Sequence, residues 1–246
     1  MQLRLITSNM KMADLVHLNY HLALVINRFG IKLGFGDKTI EEICGEHNID
    51  ADFFVEIANA FNDKDYRPRK NLKNFPVKQT VSYLQHTHSY FIDEELPRIQ
   101  RLIDNVIDAN SSQKKGFVLM KNFFREYQEE LTAHIRREEK TVYPYAVYIE
   151  NAYNNRLIDK QLTDALSMYS METYAREHED VEEKLFDLKN IIIKYLPPPT
   201  DNRYYNEILF NLFRLESDLN EHSRIENTVL VPVIRLMESE LRKLTN

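Results

Sequence analysis

The residues most able to do chemistry in this 246-residue chain are histidines and carboxylates in its last two-thirds. His88, His134, His178 and His222 are spaced by 46, 44 and 44 residues. Two of them begin a His-x-x-x-Glu pair, His134 with Glu138 and His222 with Glu226. Imidazole and carboxylate at i and i+4 share one helix face, so each pair can hold one metal or bridge two. Burying four imidazoles and two carboxylates without a compensating cation would be very costly. Six ligands exceed what tetrahedral zinc accepts and suit two metals with open positions. A mixed nitrogen and oxygen set with vacancies points to iron, with manganese and zinc as alternatives.

Long helices must bring these residues together. Apolar periodicity predicts four of them, at about 76–108, 114–152, 158–195 and 202–243. Short turn signals separate them at Asn110-Ser111-Ser112, Asn154-Asn155 and Pro197-Pro198-Pro199-Thr200. Successive helices are then antiparallel neighbours, an up-down four-helix bundle in an all-α protein. The midpoints between successive histidines, 111, 156 and 200, fall on or beside those turns. All four histidines therefore stand at one height, roughly 33 Å from each turn at 1.5 Å per residue.

Facing agrees with height. Leu215, Leu219, His222, Glu226, Val229, Val233 and Leu236 form one seam, and Phe124, Tyr127, Leu131, His134, Glu138, Val142 and Tyr145 another. The first helix contributes Val77, Val81, Leu84, His88, Phe91 and Glu95, the third Met171, Tyr174, His178, Val181 and Leu185. His86 cannot face inward together with His88, and the seam selects His88. The segments EEKTVYPYAV and IENTVLVPVI align without gaps and place Pro144 and Pro232 ten residues after His134 and His222, an internal repeat. These prolines, and Pro97, are expected to kink their helices. A ferritin-like Glu-x-x-His pattern is absent, since Gln85, Leu131, Ala175 and Leu219 precede the histidines by three.

Composition narrows the function further. Only Gly116 follows Gly45, which leaves no phosphate-binding glycine loop in the bundle and few turns for strands. A net charge of −6 opposes nucleic-acid binding. Cys44 is alone, so neither an intrachain disulfide nor a thiolate zinc site is available. No run reaches the length of a membrane span and the start lacks a signal-peptide pattern, so a cytoplasmic location is expected.

The N-terminal part reads as a small helical domain, 1–65, joined by a polar linker, 66–76, to the bundle, 77–246. A helix over 12–29 ends at Gly30, Thr39 and Glu42 form a capping box, and Asp50 or Asp52 caps a further helix. Residues 37–63 carry eight acids and one lysine, which opposes a helix-turn-helix reading. A role in covering the metal end of the bundle, or in pairing two chains as a homodimer, suits it better. His17 and His21 form an i, i+4 pair without a matching acid. Glu139 is read as solvated, Glu95 as a neighbour of the ligands, and Tyr90, Tyr127, Tyr143 and Tyr174 as core or hydrogen-bonding residues.

The motifs THSYFIDEELPRI, HIRREEKTVYPY, EHEDVEEKL and HSRIENTVLVP resemble the hemerythrin-like, or HHE cation-binding, domains. RFGIKLGFGDKTIEEIC resembles the small N-terminal domain of the RIC/ScdA iron–sulfur cluster repair family. The resemblance implies a non-haem di-iron centre, oxo- or hydroxo-bridged, held by His88, His134, Glu138, His178, His222 and Glu226. It implies repair of iron–sulfur clusters, or iron mobilisation, under nitrosative or oxidative stress, with O2 or NO as small ligands and damaged iron–sulfur proteins as clients. The alternative is an O2- or NO-binding sensor or carrier without turnover, so enzymatic activity stays open. Where the family often carries an adjacent cysteine pair, this chain has Gly34-Phe35.

Overall fold

The computed structural model describes residues 5–63, 65–66, 76–109, 114–177, 182–196, 198 and 202–245. Helices dominate: α1 (Met12–Leu18), α2 (Leu22–Arg28), α3 (Ile40–Glu46), α4 (Ala51–Asn62), α5 (Val77–Ser89), α6 (Leu96–Ala109) and α7 (Lys114–Arg137). They continue as α8 (Tyr143–Asn155), α9 (Lys160–Met168), α10 (Met171–Glu177), α11 (Glu182–Lys194), α12 (Asn202–Ile225) and α13 (Val231–Thr245). The only extended pairing among the described residues is an isolated bridge between Lys11 and Thr39. The fold is all-α, as the periodicity predicts.

The chain forms two compact units. One gathers 1–86, 143–176 and 223–246; the other gathers 87–142 and 177–222. The second is a four-helix bundle. Ile99, Ile103 and Val106 of α6, Phe117, Met120, Phe124, Tyr127 and Leu131 of α7, Leu185, Leu188 and Ile192 of α11, and Ile208, Leu212, Leu215 and Leu219 of α12 share one core. Each helix offers its apolar residues at three- and four-residue steps, so one stripe per helix leaves water.

The first unit holds the N-terminal helices. α2 ends as Gly30 predicts: its φ of 76° suits glycine, and the Ile31 N–H reaches back to the Ile26 carbonyl at 3.2 Å. The Thr39–Glu42 capping box is present in full. Asp50, not Asp52, caps α4, accepting from the Phe53 N–H at 2.9 Å. The Asn59 amide accepts from the Ile6 N–H at 2.8 Å and donates to its carbonyl at 2.9 Å, tying the start of the chain to α4. Phe29 packs on Tyr83 of α5 with ring centroids 5.0 Å apart, and Arg224 donates to the Ala60 carbonyl at the end of α4. The polar stretch read as a linker lies largely outside the described residues.

Three expectations change. The helix over 12–29 is broken: Asn19 is extended, with φ −154° and ψ 110°, and its side chain accepts from the His21 N–H at 3.1 Å. Asparagine competes with helix in this way, so His17 and His21 do not share a helical face. The third long segment is interrupted at Tyr169-Ser170. Ser170 caps α10 by accepting from the Thr173 N–H at 3.2 Å, and Glu238 accepts from the Met171 N–H at 3.0 Å.

The third change concerns the prolines. Pro97, Pro144 and Pro232 each follow a π-helical turn, at Tyr90–Glu95, Glu138–Val142 and Glu226–Leu230. Proline removes the N–H that would serve the carbonyl four residues back. Widening to i→i+5 bonding accommodates the loss, as in the Leu96 N–H to Phe91 carbonyl and Val231 N–H to Glu226 carbonyl bonds. The inserted residue also rotates the face that follows. Leu236, placed on the seam by a 3.6 period, is 39% exposed, while Met237 and Leu241 are buried.

Candidate metal centre

In the bundle unit, the end of α5, the π turn after α7 and the last turns of α12 converge. His88, Glu138 and His222 each offer a ligand atom, all within 4.8 Å of one another. His88 Nε2 lies 3.0 Å from His222 Nε2 and 3.2 Å from Glu138 Oε2. Glu138 Oε1 lies 3.0 Å from His134 Nε2, so one carboxylate joins two imidazoles. Glu138 is fully buried, and His88 and His222 nearly so. Phe91 packs edge-on against His222 and closes one wall with an apolar ring.

Two Nε2 atoms facing each other at 3.0 Å need a proton or a cation between them. An imidazole and carboxylate set with no thiolate fits a borderline or hard divalent ion such as iron, manganese or zinc. The residues present therefore fit a metal. The π turn that starts at Glu138 is a local device of a kind often found at functional sites.

The structure thus brings together four of the six residues singled out as ligands: His88, His134, Glu138 and His222. His86 is exposed while His88 is buried, as the seam argument requires. Glu226 belongs to the first unit, where it is fully buried and accepts from the Tyr143 hydroxyl at 2.8 Å. His178 lies outside the described residues, as does the neighbouring Val181 of its seam.

Two acids differ from their sequence reading. Glu139 is not simply solvated: its Oε1 lies 2.9 Å from His88 Nδ1. Only the doubled acid, Glu138-Glu139, could have signalled this. Glu95 is buried and turned to other partners. Arg214 Nη2 sits 2.7 and 2.6 Å from its two oxygens, Arg98 Nη1 donates at 3.1 Å and the Tyr90 hydroxyl at 2.9 Å. Burial, with the Glu95 charge beside it, pushes the Tyr90 hydroxyl up to about 12. Glu95 is thus a structural anion inside the bundle. Cys44 is fully buried in α3, and burial pushes its thiol up to about 12, far from the thiolate that metal transfer or disulfide exchange needs.

Among the described residues no helix is long and apolar enough to cross a membrane. No protein-family model matches the chain. Curated relatives do. Iron-sulfur cluster repair protein ScdA of Staphylococcus haemolyticus (strain JCSC1435) is 19% identical over 210 residues, 84% of this chain and 89% of the relative. ScdA of Staphylococcus epidermidis (strain ATCC 12228 / FDA PCI 1200) is 19% identical over 183 residues, 74% and 78%. Iron-sulfur cluster repair protein YtfE of Salmonella newport (strain SL254) is 21% identical over 201 residues, 80% and 83%. Matches across most of both chains, on an all-helical frame with a buried histidine–glutamate cluster, make this chain similar to the ScdA and YtfE iron-sulfur cluster repair proteins.

Proposed function

We propose that the chain is a non-haem di-iron protein that serves the repair of iron–sulfur clusters, or iron mobilisation, under nitrosative or oxidative stress. The observation that carries this reading is the buried set of His88, Glu138 and His222 donors, with His134 joined through Glu138. His178 and Glu226 complete the proposed ligand set on the strength of the sequence repeat. Bound iron would supply a Lewis acid and one-electron chemistry toward O2 or NO. The protein's own part is to hold the donors at fixed spacing, to keep bulk water away with Phe91 and the surrounding core, and to fix the histidine tautomers. The repair role is that of the named relatives, whose full length this chain largely matches.

A second reading, an O2- or NO-binding sensor or carrier without turnover, is favoured by one observation. By the family resemblance, Gly34-Phe35 stands where an adjacent cysteine pair is often carried, and burial pushes the thiol of Cys44 up to about 12. Anaerobic iron-loaded protein, mixed with NO and then with a nitrosylated iron–sulfur enzyme, separates the two. Recovery of the client's activity at substoichiometric protein supports repair. A reversible, stoichiometric spectral change without recovery supports the sensor. No spectral response to NO, with no recovery of the client, overturns both.

A further inference from the structure

The acid beside the proposed ligand Glu138 has a role that neither the relatives' names nor the sequence pattern assigns. Glu139 projects from the same π turn, its side chain 30% exposed, and its Oε1 lies 2.9 Å from His88 Nδ1. An ionised carboxylate accepts and cannot donate, so Nδ1 carries the proton of this bond. The lone pair of a neutral His88 is then on Nε2. That is the atom which faces Glu138 Oε2 at 3.2 Å and His222 Nε2 at 3.0 Å. One side of the imidazole is held by a charge at the rim while the other is aimed into the donor cluster.

We propose that Glu139 is a positioning residue that holds a proton on His88 Nδ1, leaves Nε2 as the metal-binding nitrogen and raises its strength as a ligand. The inference rests on reading His88, Glu138 and His222 as ligands. A carboxylate behind a ligating imidazole both orients the ring and makes its other nitrogen more basic. At the matching position the second copy carries no acid. The second copy reads His222-x-x-x-Glu226-Asn227, and Asn227 is an exposed, neutral amide. The two copies, alike in their His-x-x-x-Glu frame, therefore differ in the charge set beside it.

The test uses the full chain. Long-range 15N imidazole NMR of the metal-free protein reads the tautomer of His88, assigned by loss of its signals in His88→Gln. The wild type is expected to show a proton on Nδ1. Glu139→Ala is expected to shift His88 toward the Nε2–H form that imidazole prefers in water. Glu139→Gln, whose amide oxygen still accepts, keeps Nδ1–H and separates the hydrogen bond from the charge. Anaerobic Co(II) titration should show affinity weakened about 10- to 100-fold in Glu139→Ala, with a smaller loss in Glu139→Gln. An unchanged tautomer in Glu139→Ala overturns the proposal, as does unchanged Co(II) affinity. A wild type that binds no Co(II) overturns the metal reading and, with it, the ligand-strengthening part of this role. The tautomer shift would then still report, separately, that Glu139 holds His88.

Discussion

Two buried carboxylates in the bundle unit invite comparison. Glu95 and Glu138 are exposed by 1% and 0%, and each is associated with a π turn before a proline. Glu95 meets the guanidiniums of Arg214 and Arg98 and the hydroxyl of Tyr90. Glu138 instead lies between the imidazoles of His88 and His134. Guanidinium keeps its charge at any ordinary pH, so Glu95 has its counter-charge built in. Imidazole can release its proton and offer a lone pair, so the surroundings of Glu138 can receive a cation from outside the chain. The same buried charge is structural in one place and ligand-like in the other, and the neighbours decide which.

Exchanging each acid for its amide tests that contrast most severely. Glu138→Gln should weaken metal binding by at least about 100-fold, since a neutral amide is a poor ligand for a divalent cation. Its metal-free melting temperature should hold or rise, because a buried charge is removed. Glu95→Gln should do the reverse. Metal affinity stays within about twofold, while stability falls by about 2–4 kcal/mol as Arg214 and Arg98 lose their counter-charge. Metal titration and denaturant melts of both variants check the pair. Loss of metal binding in Glu95→Gln would erase the distinction.

A smaller effect is expected from Tyr143→Phe. It removes the 2.8 Å hydrogen bond to the buried Glu226 carboxylate, and stability should fall by about 1–3 kcal/mol in chemical denaturation. The smallest concerns Tyr90, raised from 10.0 to about 12 by burial and by Glu95. A hydroxyl with a raised folded value contributes stability below the unfolded value and loses it as pH climbs through the folded one. Between pH 10 and about 12 the wild type should therefore lose more stability than Tyr90→Phe. Parallel urea melts at pH 9 and pH 11 read the difference. Equal slopes would detach Tyr90 from the Glu95 network.

Much of this arrangement is legible in the sequence because it follows from periodicity. The four long apolar segments, the inward choice of His88 over His86 and the Thr39–Glu42 capping box all depend on local spacing. The contacts of Glu95 do not. Arg214 lies 119 residues away along the chain, and no pattern links the two. The prolines are visible, but their accommodation as π turns is not, and so the seam beyond Pro232 is misplaced at Leu236. The break at Asn19 arises from one side-chain hydrogen bond that overrides a continuous apolar stripe. Glu139 escapes for the same reason as Glu95: its partner His88 lies 51 residues away along the chain.

The central claim is that the histidine–glutamate cluster holds iron. Iron per chain, measured by plasma mass spectrometry after anaerobic reconstitution and desalting, tests it most directly. The wild type is expected to retain about two irons, in line with a six-ligand set, and Glu138→Gln to retain far fewer. A wild type holding well under one iron per chain, or a Glu138→Gln variant holding as much as the wild type, would contradict it.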